Sequence, residues 1–317
     1  MPNTRLFFAT DVHGSDRCFR KFINAGQFYK AQVLVLGGDV AGKMMVPVVQ
    51  QADHSYTAKF LGKDWKATKD KELNDLQNRI KVLGYYPFLT TESETAELQA
   101  NPTLAYEKFT KLMVETMKGW LDLAEQHLKP KGTKMYITGG NDDPKEVLDV
   151  LEKSSFVKYA ESQVLEVDEH HEMASTGYSN MSPWHCPRDI TEEELLKKIE
   201  GEASKVKKMS TCIFNMHCPP FGTHLDQAPE LDKDLRPIKK GGQIHMTNVG
   251  STAVRSAIEK YQPVLGLHGH IHESRGVDKV GQTLCINPGS EYTEGILRGA
   301  VLNLTSDGFE SYALVTG

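Results

Sequence analysis

The chain has 317 residues, a formal charge of −5 and a hydrophobic content of 39%, enough to bury a sizeable core and without a broad basic field for nucleic acid. No positively charged leader precedes an apolar segment and no apolar run reaches the ~20 residues that span a bilayer, so a cytoplasmic protein is expected. The five cysteines, Cys18, Cys186, Cys212, Cys218 and Cys285, are odd in number and form no C-x-x-C pair, which argues against a disulfide framework and a thiolate zinc knuckle.

Leu6 to Thr10 is a continuous apolar run, the mark of a strand buried on both faces, and it ends in Asp11-Val12-His13-Gly14. In extended backbone, residues i and i+2 share a face, so Asp11 and His13 can address one target. Ser15 is placed to cap a helix carrying Cys18, Phe19, Phe22 and Ile23 at helical spacing, with Gly26 as its stop. A second buried strand, Val33 to Leu36, ends in Gly37-Gly38-Asp39. From about residue 54 to 129 charged residues dominate and the apolar ones keep helical spacing: Leu73, Leu76, Ile80 and Leu83, then Phe109 through Leu128 after an Asn101-Pro102 start. This stretch reads as a helical insertion that covers the core or a partner subunit.

Met135 to Thr138 is a third strand, ending in Gly139-Gly140-Asn141-Asp142-Asp143-Pro144, with Pro144 as the first residue of a helix. Residues 164–167 and 172–176 read as a hairpin. A loop from Gly177 to Arg188 follows, rich in Gly, Ser and Pro yet containing Tyr178, Trp184, His185 and Arg188, and it either borders a substrate pocket or packs against the insertion. Thr191 and Glu194 form a capping box. Cys212 to Met216 is another buried strand and runs into His217. Ser251 caps a further helix, which leads to Val264-Leu265-Gly266-Leu267 and then His268-Gly269-His270-Ile271-His272. Three late strands are expected at 283–287, 300–304 and 312–315, and no internal repeat occurs.

Five apolar strands thus end in loops whose first polar side chains are Asp11 and His13, Asp39, Asn141, His217, and His270 with His272. Ligands of α/β folds bind at the carboxyl ends of strands, so these residues are expected to converge. Four imidazoles, two carboxylates and one amide oxygen are too many for one tetrahedral zinc ion and too rich in nitrogen for calcium or a simple magnesium site. Two metal ions sharing a carboxylate would use all seven.

The order Asp-x-His, Gly-Asp, Gly-Asn, His, Gly-His-x-His from Asp11 to His272 resembles the calcineurin-like metallophosphoesterase family. Pro219-Pro220-Phe221-Gly222-Thr223 and Asn287-Pro288-Gly289-Ser290 are similar to its branch of predicted prokaryotic phosphoesterases. The resemblance implies an α/β (α+β) fold, a four-layer sandwich of two mixed β-sheets flanked by helices, with 1–317 as one metallophosphoesterase domain that includes the helical insertion. It implies a first metal on Asp11, His13, Asp39 and His272 and a second on Asp39, Asn141, His217 and His270, with Asp39 as the bridge. The expected cofactors are two divalent transition-metal ions, Mn first and Fe, Zn, Co or Ni as alternatives. The expected reaction is hydrolysis of a small-molecule phosphoester by in-line attack of a hydroxide held between the metals. Neither a membrane nor a nucleic-acid surface is expected as partner, and self-association through the insertion is left open.

Two residues are assigned catalytic roles beside the ligands. His268 lies outside the family's ligand set and is expected to orient a ligand. Asp142 stands where the family's usual Gly-Asn-His motif has a histidine, and an ionised carboxylate there repels phosphate rather than donating a proton to it. A phosphomonoester dianion suffers that repulsion more than a diester monoanion, so phosphodiesters with good leaving groups are the expected substrates, with a phosphomonoesterase as the alternative. Lys43, Arg188 and His224 are the cations expected to meet substrate charge. A metal-binding scaffold without catalysis is disfavoured because no ligand position is substituted. Amidohydrolases and metallo-β-lactamase-like enzymes are disfavoured because they open on His-x-His where this chain has Asp11-x-His13.

Overall fold

The structure, a computed structural model, describes residues 4–317. The chain runs β1 (Thr4–Ala9), α1 (Asp16–Phe28), β2 (Val33–Leu36), β3 (Met44–Gln50), β4 (Tyr56–Phe60), β5 (Lys63–Ala67), α2 (Asp70–Val82), β6 (Tyr85–Thr90), α3 (Glu92–Ala100) and α4 (Pro102–Leu128). It continues through β7 (Lys134–Ile137), α5 (Lys145–Glu152), β8 (Lys158–Tyr159), β9 (Gln163–Glu166), β10 (Glu172–Thr176), the short β11 (Ser179–Asn180) and β12 (Asp189–Ile190), α6 (Glu192–Ala203) and β13 (Ile213–Met216). An excursion holds β14 (Gln227–Pro229), β15 (Lys239–Lys240), β16 (Gln243–Ile244) and β17 (Met246–Asn248). Then come α7 (Thr252–Tyr261), β18 (Leu265–Leu267), β19 (Gly276–Val280), β20 (Thr283–Asn287), β21 (Arg298–Thr305) and β22 (Gly308–Thr316).

Two six-stranded mixed sheets carry the fold, in the orders β22-β21-β1-β2-β7-β8 and β19-β20-β18-β13-β10-β9. Their central strands are parallel: β1, β2 and β7 in one sheet, β10, β13, β18 and β20 in the other. Alternate side chains of a strand point to opposite faces, and this sorts the core into layers. Leu6, Phe8, Val33 and Val35 join Ile213, Leu265, Leu267 and Ile286 between the sheets. Phe7, Leu34 and Leu36 face α1, α4 and α5 through Phe19, Phe22, Trp120 and Leu151. On the far side, Phe214 and Met216 meet α6 and α7 through Leu195, Ile199, Val254 and Ile258. The four-layer sandwich expected from the sequence is therefore the architecture observed.

The insertion differs from its expected character. It is not purely helical, and the departure from the sandwich begins at Met44: β3, β4, β5 and β6 form a separate four-stranded sheet, ordered β5-β4-β3-β6, against which α2 packs Leu76 and Ile80. Its strands β4 and β5 interleave apolar with charged residues and read as polar sequence, while β3 and β6 are largely apolar and set Tyr86 against Phe109 of α4. Two smaller corrections concern helix ends. Gly26 lies inside α1, buried, and the helix runs on to Phe28. Pro144 is the N-cap of α5 rather than its first residue. The other caps are as expected: the hydroxyl of Ser15 accepts from the Cys18 N–H, Asn101 from Leu104, Thr191 from Glu194 and Ser251 from Val254. No helix among the described residues is long and apolar enough to cross a membrane.

Candidate metal centre

The residues Asp11 and His13 follow β1, Asp39 follows β2, Asn141 follows β7, His217 follows β13, and His270 and His272 follow β18. These are neighbouring parallel strands of the two facing sheets, so their carboxyl ends open on one cleft. Four of the residues turn there in the left-handed region, Asp11 at φ 53°, His13 at 39°, Asp39 at 48° and His270 at 66°. Each such non-glycine residue costs on the order of 1–2 kcal/mol. Cross-loop bonds hold them: the Asp11 N–H donates to the Gly38 carbonyl at 3.0 Å, His13 N–H to Asp39 carbonyl at 3.0 Å, and His270 N–H to the Asp11 carboxylate at 3.1 Å. Gly140 is required by close approach, since a Cβ there would lie 1.9 Å from Asp39 Oδ1.

The side chains meet in two adjacent groups. Asp11, His13 and His272 present donor atoms mutually within 4.8 Å, as do Asp39, His217 and His270. His272 Nε2 is 3.4 Å from Asp11 Oδ1 and 3.1 Å from His13 Nε2. Asp39 Oδ2 lies between the groups, 3.6 Å from His13 Nε2 and 3.4 Å from His217 Nε2. His217 holds its Nδ1 3.0 Å from the Gly37 carbonyl, which leaves Nε2 for the cluster.

Burial and mutual charge set the protonation of these groups. Burial lowers His13 and His270 to about 4, so both rings are neutral near pH 7 and able to ligate. Burial also pulls His217 down, but the adjacent Asp39 carboxylate outweighs it and raises the ring to about 9. Burial raises Asp11, yet the hydrogen bond and charge of His272 with the charge of His217 hold it at about 2. For Asp39, too, burial is overcome, by His217 and His13, and its carboxyl lies well below the ordinary range. Two fully buried carboxylates are thus kept ionised among imidazoles, where a divalent cation can take the place of protons. Fit to metal is also legible in an unpaired atom: Asn141 Oδ1 is buried with no hydrogen-bond partner, an expensive condition that a cation relieves.

No protein-family model matches the chain. A solved crystal structure 16% identical to it aligns over 99% of both chains at a TM-score of 0.59. At that identity the likeness is one of fold. Another solved structure it aligns with, a dimetal phosphatase from Danio rerio, is 10% identical over 100% of this chain and 99% of that one, at a TM-score of 0.43. An uncharacterized protein of Methanocaldococcus jannaschii is 34% identical over 151 residues, which span 47% of this chain and 61% of that relative.

The remaining residues singled out in the sequence fall in different places. Asp142 reaches the cleft, where its carboxylate groups with His13 and Asp39, and Lys43 Nζ stands 2.6 Å from Asp142 Oδ2. His268 is fully buried behind the cluster, with Nδ1 2.9 Å from the Met216 carbonyl, and burial lowers it to about 4. That bond ties His268 to the strand end just before His217. Arg188 is committed elsewhere: its guanidinium pairs with Glu161, stacks over Tyr178 and donates to the Gly140 carbonyl at 2.7 Å. His224 is exposed, and its backbone N–H donates to Asp278.

Three residues escaped the sequence reading. Asp143 is buried and accepts from the N–H groups of Val40, Ala41 and Gly140, joining the second and third loops, while burial and the charge of Asp39 raise it to about 6. The Tyr292 ring packs 4.7 Å from His13 and 5.9 Å from His272. The carboxylate of Asp189 accepts from Asn141 Nδ2 at 2.8 Å. The spacing of Asp143 from Asn141 was a usable signal. Tyr292 and Asp189 lie in segments without regular periodicity and carried none.

Proposed function

We propose that this chain is a dinuclear-metal-dependent phosphoesterase acting on phosphodiesters, with residues 1–317 serving as one catalytic domain. The observation that carries the reading is the convergence of six donor side chains, Asp11, His13 and His272 in one group and Asp39, His217 and His270 in the other, with Asn141 Oδ1 buried and without a hydrogen-bond partner between Gly140 and Asp142, which both lie against Asp39. Asp11, His13, Asp39 and His272 would hold one ion and Asp39, Asn141, His217 and His270 the other, Mn²⁺ being the first choice among the ions, Fe, Zn, Co and Ni included, that a mixed nitrogen and oxygen set accepts. When bound, the two ions supply Lewis acidity, drawing charge from a phosphoryl oxygen and acidifying water.

The protein's own residues then decide the substrate. The Asp142 carboxylate in the cleft pairs with Lys43 Nζ at 2.6 Å and, as a carboxylate, accepts rather than donates, so it offers no proton to a leaving oxygen. Leaving groups that need no proton, such as aryl or cyclic diester oxygens, fit this arrangement. Lys43 offsets part of the Asp142 charge, and a diester carries one negative charge fewer than a monoester to be repelled by the rest.

The test compares kcat/KM for bis(p-nitrophenyl) phosphate and p-nitrophenyl phosphate with Mn²⁺ supplied, in the native protein and in Asp142→His. The reading expects the native protein to prefer the diester and the variant to shift towards the monoester. A native preference for the monoester would overturn the substrate assignment, and turnover of neither ester nor of cyclic nucleotides would favour a metal-binding scaffold.

A further inference from the structure

The two-residue strands β11 and β12 pair in parallel, with Ser179 opposite Asp189 and Asn180 opposite Ile190. So short a ribbon contributes little core, yet it touches two of the side chains grouped at the second metal position. Asp189 Oδ1 accepts from Asn141 Nδ2 at 2.8 Å, and Ser179 Oγ lies 3.2 Å from His270 Nε2. The backbone repeats the contact, because the Arg188 N–H donates to the Asn141 carbonyl at 3.1 Å.

An asparagine side chain is ambiguous as a ligand. Its oxygen can coordinate a cation and its NH₂ cannot, and a rotation of 180° about the last bond exchanges them at almost no steric cost. Something must therefore fix which end faces the ion. An ionised carboxylate accepts and does not donate, so Asp189 selects the NH₂ end of Asn141 and leaves Oδ1, buried and unpaired, on the side away from itself. Asp189 is itself fixed. Its second oxygen accepts from Ser182 N–H at 3.1 Å, Ser182 Oγ at 2.6 Å and Cys186 N–H at 2.9 Å.

We propose that Asp189 is a positioning residue for the second metal ion: it orients the Asn141 amide so that Oδ1 is the atom offered, and it anchors the 182–186 turn to that ligand. The inference rests on the two-metal reading above, and its test separates the two. Mn²⁺ is titrated calorimetrically into metal-free native protein, Asp189→Asn, Asn141→Ala, the double variant and Ser182→Ala.

Asp189→Asn keeps shape but can donate as well as accept, so it no longer selects one end of Asn141. The expected result is two Mn²⁺ sites in the native protein and a roughly 10–100-fold weakening of one of them in Asp189→Asn, the other unchanged. Adding Asp189→Asn to Asn141→Ala should weaken that site no further, since the two act through one ligand. Ser182→Ala removes a bond to the other Asp189 oxygen and should leave both affinities intact. Native affinities in Asp189→Asn, with or without a lower melting temperature, would overturn the positioning role while leaving the two-metal reading standing. Equal weakening in Ser182→Ala would also overturn it, because order in the turn and not the orientation of Asn141 would then be responsible. Native protein that binds no Mn²⁺ would overturn both readings.

Discussion

The five strand-end loops and the segment from Met44 to Leu128 were written under different constraints, and they differ in how directly sequence reports on structure. In the loops, each donor residue sits at the carboxyl end of a strand buried on both faces, so an apolar run followed by Asp, His or Asn fixes both the element and the direction of the side chain. In the segment, a small sheet packs one face on α2, its strands β3 and β6 meet α4 on the other through Tyr86 on Phe109, and the strands β4 and β5 carry charge. Its apolar pattern is correspondingly weak. Residues that bind are held in costly backbone geometry by many cross-loop bonds, whereas residues that cover need only the right face.

The largest expected effect belongs to the loops. Asp39→Asn removes a charge from the atom that lies between both groups and should cut turnover by on the order of 10²–10³-fold or more. Its melting temperature should stay near native, since a paired set of buried carboxylates also repels itself. Near-native activity of this variant would break the claim that the two groups share Asp39.

Arg188→Ala comes next and sharpens the contrast, because Arg188 lies in a loop that borders the cleft yet packs rather than binds. It leaves Glu161 buried without its cation, and unfolding free energy should fall by about 3–5 kcal/mol. Chemical denaturation measures this, and unchanged stability with a raised KM would return Arg188 to the substrate. Ile80→Ala, in the core of the inserted sheet, should cost about 2–5 kcal/mol and leave the number of bound Mn²⁺ ions as in the native protein. Loss of metal in that variant would make the segment part of the centre.

The smallest effect is expected for His268→Ala. It opens the buried Met216 carbonyl, at about 1–3 kcal/mol of stability, while turnover should fall far less than in His270→Ala. Equal losses of turnover in the two variants would place His268 among the ligands.

Particular residues show where legibility stops. The sequence placed Asp11, His13, Asp39, Asn141, His217, His270 and His272 at strand ends, and strand order then brings the carboxylates and imidazoles among them together. The runs of apolar residues marked the strands, and the four-layer sandwich came from the family resemblance. What escaped was whatever depends on tertiary approach. Lys43 on Asp142, Asp189 on Asn141 and Tyr292 on His13 join positions 99, 48 and 279 residues apart in the chain. No local pattern encodes such pairs. Arg188 illustrates the opposite error, since a cation in a polar, aromatic loop reads as exposed until its buried partner Glu161 is seen. The strands of the inserted sheet were hidden because Tyr56-Thr57-Ala58-Lys59-Phe60 alternates over only five residues and turns at Leu61-Gly62.

Anomalous X-ray scattering from crystals grown with Mn²⁺ tests the central claim most directly. The account predicts two peaks roughly 3.5–4 Å apart, one beside Asp11, His13 and His272, the other beside Asn141, His217 and His270, with the Asp39 carboxylate between them. A single peak, or two peaks that do not share Asp39, would contradict it.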